Sequence, residues 1–111
     1  QNGRNLSGGQ KQRISVARAI AKRPEVLILD DSSSALDNIT DLKLRRAIKS
    51  LDYPVTTFIV SQRASSVLGA DKIIVMDEGE IVGIGTADEL RKTCAVFREI
   101  EDSQSSSEAR K

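Results

Sequence analysis

The apolar positions of the chain follow first a helical and then an extended pattern. From Gln10 onward, apolar residues recur at intervals of three and four, which predicts a helix that ends before Pro24. Residues 26–29 form a continuous apolar run of strand length, closed by two carboxylates. A run without alternating polar residues is typical of a strand buried on both faces, as in a parallel sheet. We therefore expect a helix followed by a buried parallel strand.

The middle of the chain repeats this alternation. A second amphipathic helix is predicted after Asp37, an apolar strand over residues 55–60 and a short helix over residues 64–68. Strands that alternate with helices favour an α/β fold with a mostly parallel sheet. Ligands bind such sheets at the carboxyl ends of the strands. Here two carboxylates follow the first strand, and Gln62 lies just beyond the second.

The last third predicts a terminal hairpin and closing helices. Residues 73–76 and 81–84 are short apolar strands, and the four residues between them include a glycine, as in a β-hairpin. Thr86 and Glu89 have the spacing of a capping box. This box opens a last helical region, which we expect to continue through Ile100.

Composition narrows the class of protein. The 17 basic and 16 acidic residues nearly balance. The chain therefore lacks the excess of positive charge that would indicate a nucleic-acid partner. A single cysteine, Cys94, excludes an internal disulfide and fits a reducing cytosol. No apolar run approaches the roughly 20 residues that a membrane helix needs.

The ends of the chain indicate a part of a longer protein. The chain begins at Gln1, without a starting methionine, and its first motif follows at once. We expect residues 1–102 to form one folded part. Residues 103–111 are polar, and we expect them to form a disordered tail.

The segment Leu6–Ser7–Gly8–Gly9–Gln10 lies at the predicted start of the first helix. Exposed backbone amides at a helix N-terminus attract anions, phosphate above all, and two glycines let a ligand approach the backbone closely. The Ser7 hydroxyl can cap the helix or add a hydrogen-bond donor. The segment therefore indicates a phosphate contact, with an ordinary glycine-containing helix cap as the alternative.

Asp30 and Asp31 close the first apolar strand. A carboxylate at the tip of a buried strand suits Mg²⁺, which prefers hard oxygen ligands and keeps several waters. A second carboxylate beside it can orient or deprotonate a water molecule. The alternative is an acidic pair in a solvated turn.

Three segments of the chain resemble motifs of ABC ATPases, and they occur in the order of that family. Residues 6–13 resemble the signature motif, and residues 27–31 resemble Walker B. The segment Ser34–Ala35–Leu36–Asp37 resembles the D-loop at the spacing of the family.

The resemblance extends through the remainder of the chain. Residues 59–63 fall where the switch segment of the family lies. Residues 76–86 are similar to the hairpin that follows it, and residues 87–102 to the closing helices of exporter-type domains. The similarity covers residues 2–102.

The resemblance implies the C-terminal part of a P-loop NTPase (RecA-like) domain, with ATP and Mg²⁺ as cofactors. Two such domains close head to tail around two ATP molecules, and Asp30 would serve Mg²⁺ at this domain's own site. The γ-phosphate of the ATP held by the partner domain would be contacted by Ser7, Gly8, Gly9 and Gln10. The dimer interface would be crossed by Ser34, Ala35, Leu36 and Asp37.

Two catalytic positions depart from the family pattern. Asp31 stands where the family has its catalytic Glu, and Gln62 replaces the His of the switch segment. Asp is one methylene shorter than Glu, and Gln cannot gain or lose a proton as His can. The combination resembles the degenerate half of a heterodimeric exporter. The alternative is that both residues are tolerated variants in an active homodimer.

The segment G-x-x-x-x-G-K-[ST], which holds phosphates in this family, does not occur in the sequence. We therefore expect the chain alone to be inactive as an ATPase. The resemblance implies the motor of a drug, lipid or peptide exporter at the cytoplasmic face of the cell membrane. Its transmembrane domain would lie outside this chain. The alternatives are a soluble ABC ATPase of DNA repair or translation, and a non-catalytic interaction fragment.

Overall fold

The computed structural model describes residues 8–30 and 38–109. The helices and strands in these ranges are α1 (Gly8–Ala21), β1 (Val26–Asp30), α2 (Asn38–Lys49), β2 (Thr56–Val60), a 3-10 helix (Ala64–Ser66), β3 (Ile73–Asp77), β4 (Glu80–Gly85), α3 (Ala87–Thr93) and α4 (Ala95–Glu108). Their order confirms the predicted α/β class. The chain divides between Ser61 and Gln62 into two compact units.

The first unit is built on a parallel pair of strands. β1 and β2 run side by side, with Val26 opposite Thr56 and Asp30 opposite Val60. The buried residues of this unit come from α1, β1 and α2 and are Val16, Leu27, Leu29 and Ile48. Since burying an aliphatic side chain contributes about 1.5–3 kcal/mol, this cluster holds both helices against one face of the strand pair.

The opposite face of the strand pair is exposed. The side chains of Val26, Ile28, Phe58 and Val60 are 51%, 64%, 53% and 52% accessible. The prediction that β1 is buried on both faces is therefore wrong for the part of the chain that the structure describes. The apolar run makes both faces hydrophobic, but α1 and α2 cover only the face that carries Leu27 and Leu29.

The end of α1 is fixed by Arg23. Its φ of 50° lies in the left-handed region, and its N–H donates to the carbonyl oxygen of Ile20 at 2.8 Å. Pro24 disfavours right-handed helical geometry at this residue. The guanidinium lies 4.5 Å from the ring centre of Tyr53, whose hydroxyl donates to the same Ile20 carbonyl at 3.4 Å. These contacts fasten the end of α1 to the segment that leads into β2.

The second unit begins with an antiparallel hairpin. β3 pairs with β4, and Asp77 lies opposite Glu80 across a two-residue turn. Both turn residues have positive φ, 48° at Glu78 and 79° at Gly79. Two-residue hairpin turns favour this geometry because it matches the twist of the strands. The predicted hairpin is confirmed.

Two helices pack on β3 to form the core of the second unit. The buried cluster is Ile73, Val75, Leu90, Cys94 and Phe97. Leu90 of α3 is fully buried, with 0% of its surface accessible. Cys94 is a buried free thiol at the junction of α3 and α4, where it packs as a small apolar residue.

Local signals predicted the start of α3 well and the short helix less well. The Thr86 hydroxyl accepts a hydrogen bond from the N–H of Glu89 at 3.2 Å, which confirms the predicted cap. The helix predicted over residues 64–68 is a single 3-10 turn over Ala64–Ser66.

α4 is longer than the sequence predicted. It continues to Glu108, so residues 103–108, expected to belong to a disordered tail, are helical in the structure. The polar composition of this segment indicates disorder because it offers few apolar groups to bury. Its helix is stabilised instead by polar contacts, among them those of the Gln104 side chain to residues 62 and 64.

We predict that Gly83→Ala destabilises the chain by about 1–3 kcal/mol, because overpacking a filled core forces its neighbours to shift. A Cβ at Gly83 would lie 3.0 Å from both Cys94 Sγ and Leu90 Cδ2. The matched control is Gly69→Ala, because nothing lies within 4 Å of a Cβ there. The free energy of unfolding in urea, compared for the two variants, checks this expectation. Equal stabilities would contradict it.

Candidate functional site

The carboxyl edge of the β1–β2 pair carries the first candidate residue. Asp30 ends β1 opposite Val60, the last residue of β2, so both strands end at the same edge. The Asp30 residue is exposed. An exposed carboxylate at the end of a parallel strand is available to a cation or a bound phosphate–metal complex.

α1 presents a glycine-rich N-terminus in the same unit. Gly8, Gly9 and Gln10 form its first residues, which agrees with the helix start predicted from the sequence. The first turn contains no acidic side chain, and its backbone amides lie in the region of partial positive charge that attracts anions. The Gln10 residue is exposed. Of the predicted phosphate-contacting residues, Gly8, Gly9 and Gln10 therefore lie in the first turn of a helix.

Several candidate residues lie outside the described residues. These are Ser7, Asp31, Ser34, Ala35, Leu36 and Asp37. Their assignments therefore stand as predictions from the sequence.

Gln62 opens the second unit, and its main chain is held by a residue that the sequence analysis missed. Gln104 Nε2 donates to the carbonyl oxygen of Gln62 at 2.7 Å. The Oε1 atom of the same amide accepts from the N–H of Ala64 at 2.8 Å. The Gln62 residue itself is exposed. A single side chain therefore fixes the backbone on both sides of Arg63.

A signal for Gln104 was present in the sequence. Phe97, Glu101 and Gln104 are four and three residues apart, the spacing of one face of a helix. Because the residues after 102 were expected to be disordered, the continuation of the helix to Gln104 was not predicted.

An ion pair joins α3 to α4 one turn before Gln104. Arg91 contacts both carboxylate oxygens of Glu101 at 2.8 Å, and its Nη1 atom donates to Asp88 at 3.0 Å. A two-pronged guanidinium–carboxylate pair fixes geometry as well as charge. The hydrogen bond from Arg91 holds the pKa of Glu101 below its ordinary value, and Glu101 raises the pKa of Arg91.

Asp30 is the predicted metal ligand that lies within the described residues. Residues 8–30 and 38–109 contain no group of three His, Cys, Asp or Glu side chains that could hold an ion. Asp30 would therefore supply one oxygen ligand, which suits Mg²⁺ bound together with phosphate and water. Among the helices that the structure describes, none is long and apolar enough to cross a membrane.

Comparison with known proteins agrees with these features. The family model described as "ABC transporter" matches residues 1–34. The uncharacterized ABC transporter ATP-binding protein YfiB of Bacillus subtilis is 46% identical over 104 residues, which cover 94% of this chain and 18% of that protein. The beta-(1→2)glucan export ATP-binding/permease protein NdvA of Rhodopseudomonas palustris is 41% identical, over 94% of this chain and 17% of that protein.

A solved structure extends the agreement to the fold. The structure of a bacterial Atm1-family ABC exporter with ATP bound superimposes with a TM-score of 0.83 at 33% identity, over 92% of this chain and 18% of that chain. The chain thus spans 17–18% of the length of these relatives. It belongs to the ABC transporter family and has the sequence and fold of an exporter-type ATP-binding domain. The resemblance to the ATP-binding domains of ABC exporters is confirmed, and the resemblance to a degenerate half of a heterodimer stays a prediction.

We predict that Glu101→Gln lowers the melting temperature at pH 7, because it removes a carboxylate that is stabilised in its charged form. Since the folded pKa of Glu101 lies below the ordinary 4.5, this contribution is complete above about pH 4.5 and is lost as the pH falls through the folded value. The difference from wild type should therefore shrink below pH 4.5. Thermal melts across this range measure it. The control Glu99→Gln, at an exposed position of α4, should show a smaller difference; an equal loss would contradict the assignment.

Proposed function

We propose that the chain is the C-terminal half of the ATP-binding domain of an ABC exporter. In the intact protein it couples ATP binding and hydrolysis to the export of a drug, lipid or peptide. The observation that carries this proposal is the arrangement of one strand and one helix in the first unit. There, a strand ending in the exposed Asp30 packs against a helix with a glycine-rich N-terminus. The similarity to exporter ATP-binding/permease proteins supports the coupling to transport.

Two groups of residues in this first unit act on different nucleotides. Asp30 would supply an oxygen ligand for the Mg²⁺ that accompanies the domain's own ATP, a hard cation that prefers oxygen ligands. The signature residues contact the γ-phosphate of the ATP bound by a second domain, and they are Ser7, Gly8, Gly9 and Gln10. Amides at the start of α1, without an acidic residue in its first turn, supply the positive potential for that contact.

Because the signature residues contact ATP bound by another domain, the proposed function requires partner domains. A second ATP-binding domain lies head to tail with this one, and the loop of Ser34, Ala35, Leu36 and Asp37 crosses their interface. A transmembrane domain of the intact exporter anchors the pair at the cytoplasmic face of the cell membrane. The similarity to an ATP-binding/permease protein and to a solved ABC exporter favours this arrangement over a role in DNA repair or translation.

The ATP site completed by this chain's own Walker B is the weak one of the pair. Asp31 is too short to place its carboxylate where a Glu would hold the attacking water, and small misplacements lower rates steeply. Gln62 cannot exchange a proton. The signature is intact, so this chain still completes an active site in its partner. The intact exporter is therefore a heterodimer with one slow and one fast site.

We predict that the 111-residue chain alone shows no ATP hydrolysis, because its sequence lacks the phosphate loop with its lysine. Phosphate release at saturating Mg-ATP, measured against a blank without protein, checks this. Steady turnover that disappears in Asp30→Asn would refute the assignment.

In the intact pair we predict opposite outcomes for two variants. Ser7→Arg places bulk and charge against the ATP of the partner and should abolish nearly all hydrolysis. Asp31→Asn should leave most activity, because the slow site contributes little turnover. A well-placed general base is worth roughly 100- to 10,000-fold in rate, so steady-state ATPase rates of the reconstituted transporter separate the two outcomes.

The control for this prediction tests whether the slow site becomes active when the residues of the family pattern are introduced. Asp31→Glu combined with Gln62→His restores both family residues and should add turnover at the slow site. If Asp31→Asn instead removes nearly all activity, Asp31 is a working base and the site is not degenerate.

A further inference from the structure

We propose that Gln104 of α4 is a positioning residue for the switch segment, and that it acts by holding the main chain of residues 62–64. The proposal rests on the proposed function, because it takes residues 59–63 as the switch segment of an ABC ATPase. It adds a requirement in a part of the chain that carries no family motif. In this view α4 is needed for turnover and not only for packing.

The geometry is that of a two-pronged amide bound to the backbone. Gln104 donates to the carbonyl oxygen of Gln62 at 2.7 Å and accepts from the N–H of Ala64 at 2.8 Å. Arg63 precedes the 3-10 helix, and its side chain makes no capping hydrogen bond to that helix. The Gln104 amide therefore supplies the cap from a distant part of the chain.

The contact fixes the backbone and leaves the side chain at position 62 exposed. Both hydrogen bonds go to main-chain atoms, so they are independent of whether residue 62 is Gln or His. Loss of the contact frees the dihedral angles around Arg63, which set the direction in which the residue 62 side chain points. A group that contacts a γ-phosphate or a water must be held within a fraction of an ångström, ideally by a rigid element.

α4 is fastened firmly enough to serve as that element. Phe97, two turns before Gln104, is 3% accessible within the core of the second unit. Glu101, one turn before it, is held by the two-pronged contact from Arg91 at 2.8 Å. The position of Gln104 is thus set by the core and by an ion pair, both within the same unit.

The chemistry of the amide makes this role specific to glutamine. Gln104→Ala removes both hydrogen bonds. Gln104→Glu retains an acceptor for the N–H of Ala64 but loses the donor to the Gln62 carbonyl. The matched control is Ser106→Ala, because the Ser106 hydroxyl donates only to the Asp102 carbonyl of its own helix, at 2.8 Å.

The functional test uses the intact transporter in two backgrounds, wild type and Asp31→Glu with Gln62→His. In the background where this site turns over, Gln104→Ala should lower the kcat of the site about 10- to 100-fold with little change in KM for ATP. Gln104→Glu should fall between Gln104→Ala and the parent, and Ser106→Ala should match the parent. The melting temperature is measured alongside, so that a loss of folding is recognised.

A structural test on the 111-residue chain is independent of activity. The amide of Ala64 should be protected from hydrogen exchange in the wild type and should exchange faster in Gln104→Ala, with Ser106→Ala unchanged. Equal exchange in wild type and Gln104→Ala overturns the geometry.

The functional test and the exchange test together distinguish a failure of the positioning role from a failure of the proposed function. Unchanged kcat for Gln104→Ala in both backgrounds overturns the positioning role, as does a loss that Ser106→Ala reproduces. If the Asp31→Asn variant shows that this ATP site already hydrolyses ATP in the wild type, the effect of Gln104→Ala on kcat is judged in the wild-type background. An intact protein without any ATPase activity refutes the proposed function and the positioning role together, while the exchange measurement still decides whether Gln104 holds the main chain.

Discussion

The burial of Leu27 and Leu29 beneath α1 and α2 is the constraint on which the first unit depends. It fixes which face of β1 is covered and brings α1 against the strand. The parallel register then carries Asp30 to the edge where β2 also ends. A one-residue slip in register would turn these leucines to the exposed face, so packing of the core also fixes the chemistry at the strand ends.

The second unit uses polar contacts where its apolar core ends. Leu90 and Phe97 pack on β3, and beyond them the ion pair of Arg91 with Glu101 and the amide of Gln104 continue the attachment of α4. Hydrogen bonds to the main chain contribute modestly to stability, about 0.5–1.5 kcal/mol each. Their larger effect is geometric, because they fix a short irregular segment that few apolar contacts could hold.

The same chain carries groups that serve two different nucleotides in the proposed dimer. The helix terminus at Gly8 and Gly9 and the strand end at Asp30 belong to one unit. In that proposed dimer, Asp31 and Gln62 would weaken one ATP site and leave the signature intact. Under the proposed function, one domain would thus lose its own hydrolysis and still complete the active site of its partner.

The sequence by itself determined the order of helices and strands, the hairpin, the cap at Thr86 and the family, because each depends on local spacing or on motifs along the chain. It could not determine that β1 is covered on one face only, since hydrophobicity does not specify which elements reach each face. Nor could it show that α4 runs to Glu108. The contacts of Gln104 with residues 62 and 64 join positions about forty residues apart in sequence. Only the tertiary structure decides such contacts, because a polar side chain gains its partner from the packing of distant elements and not from its neighbours in the chain.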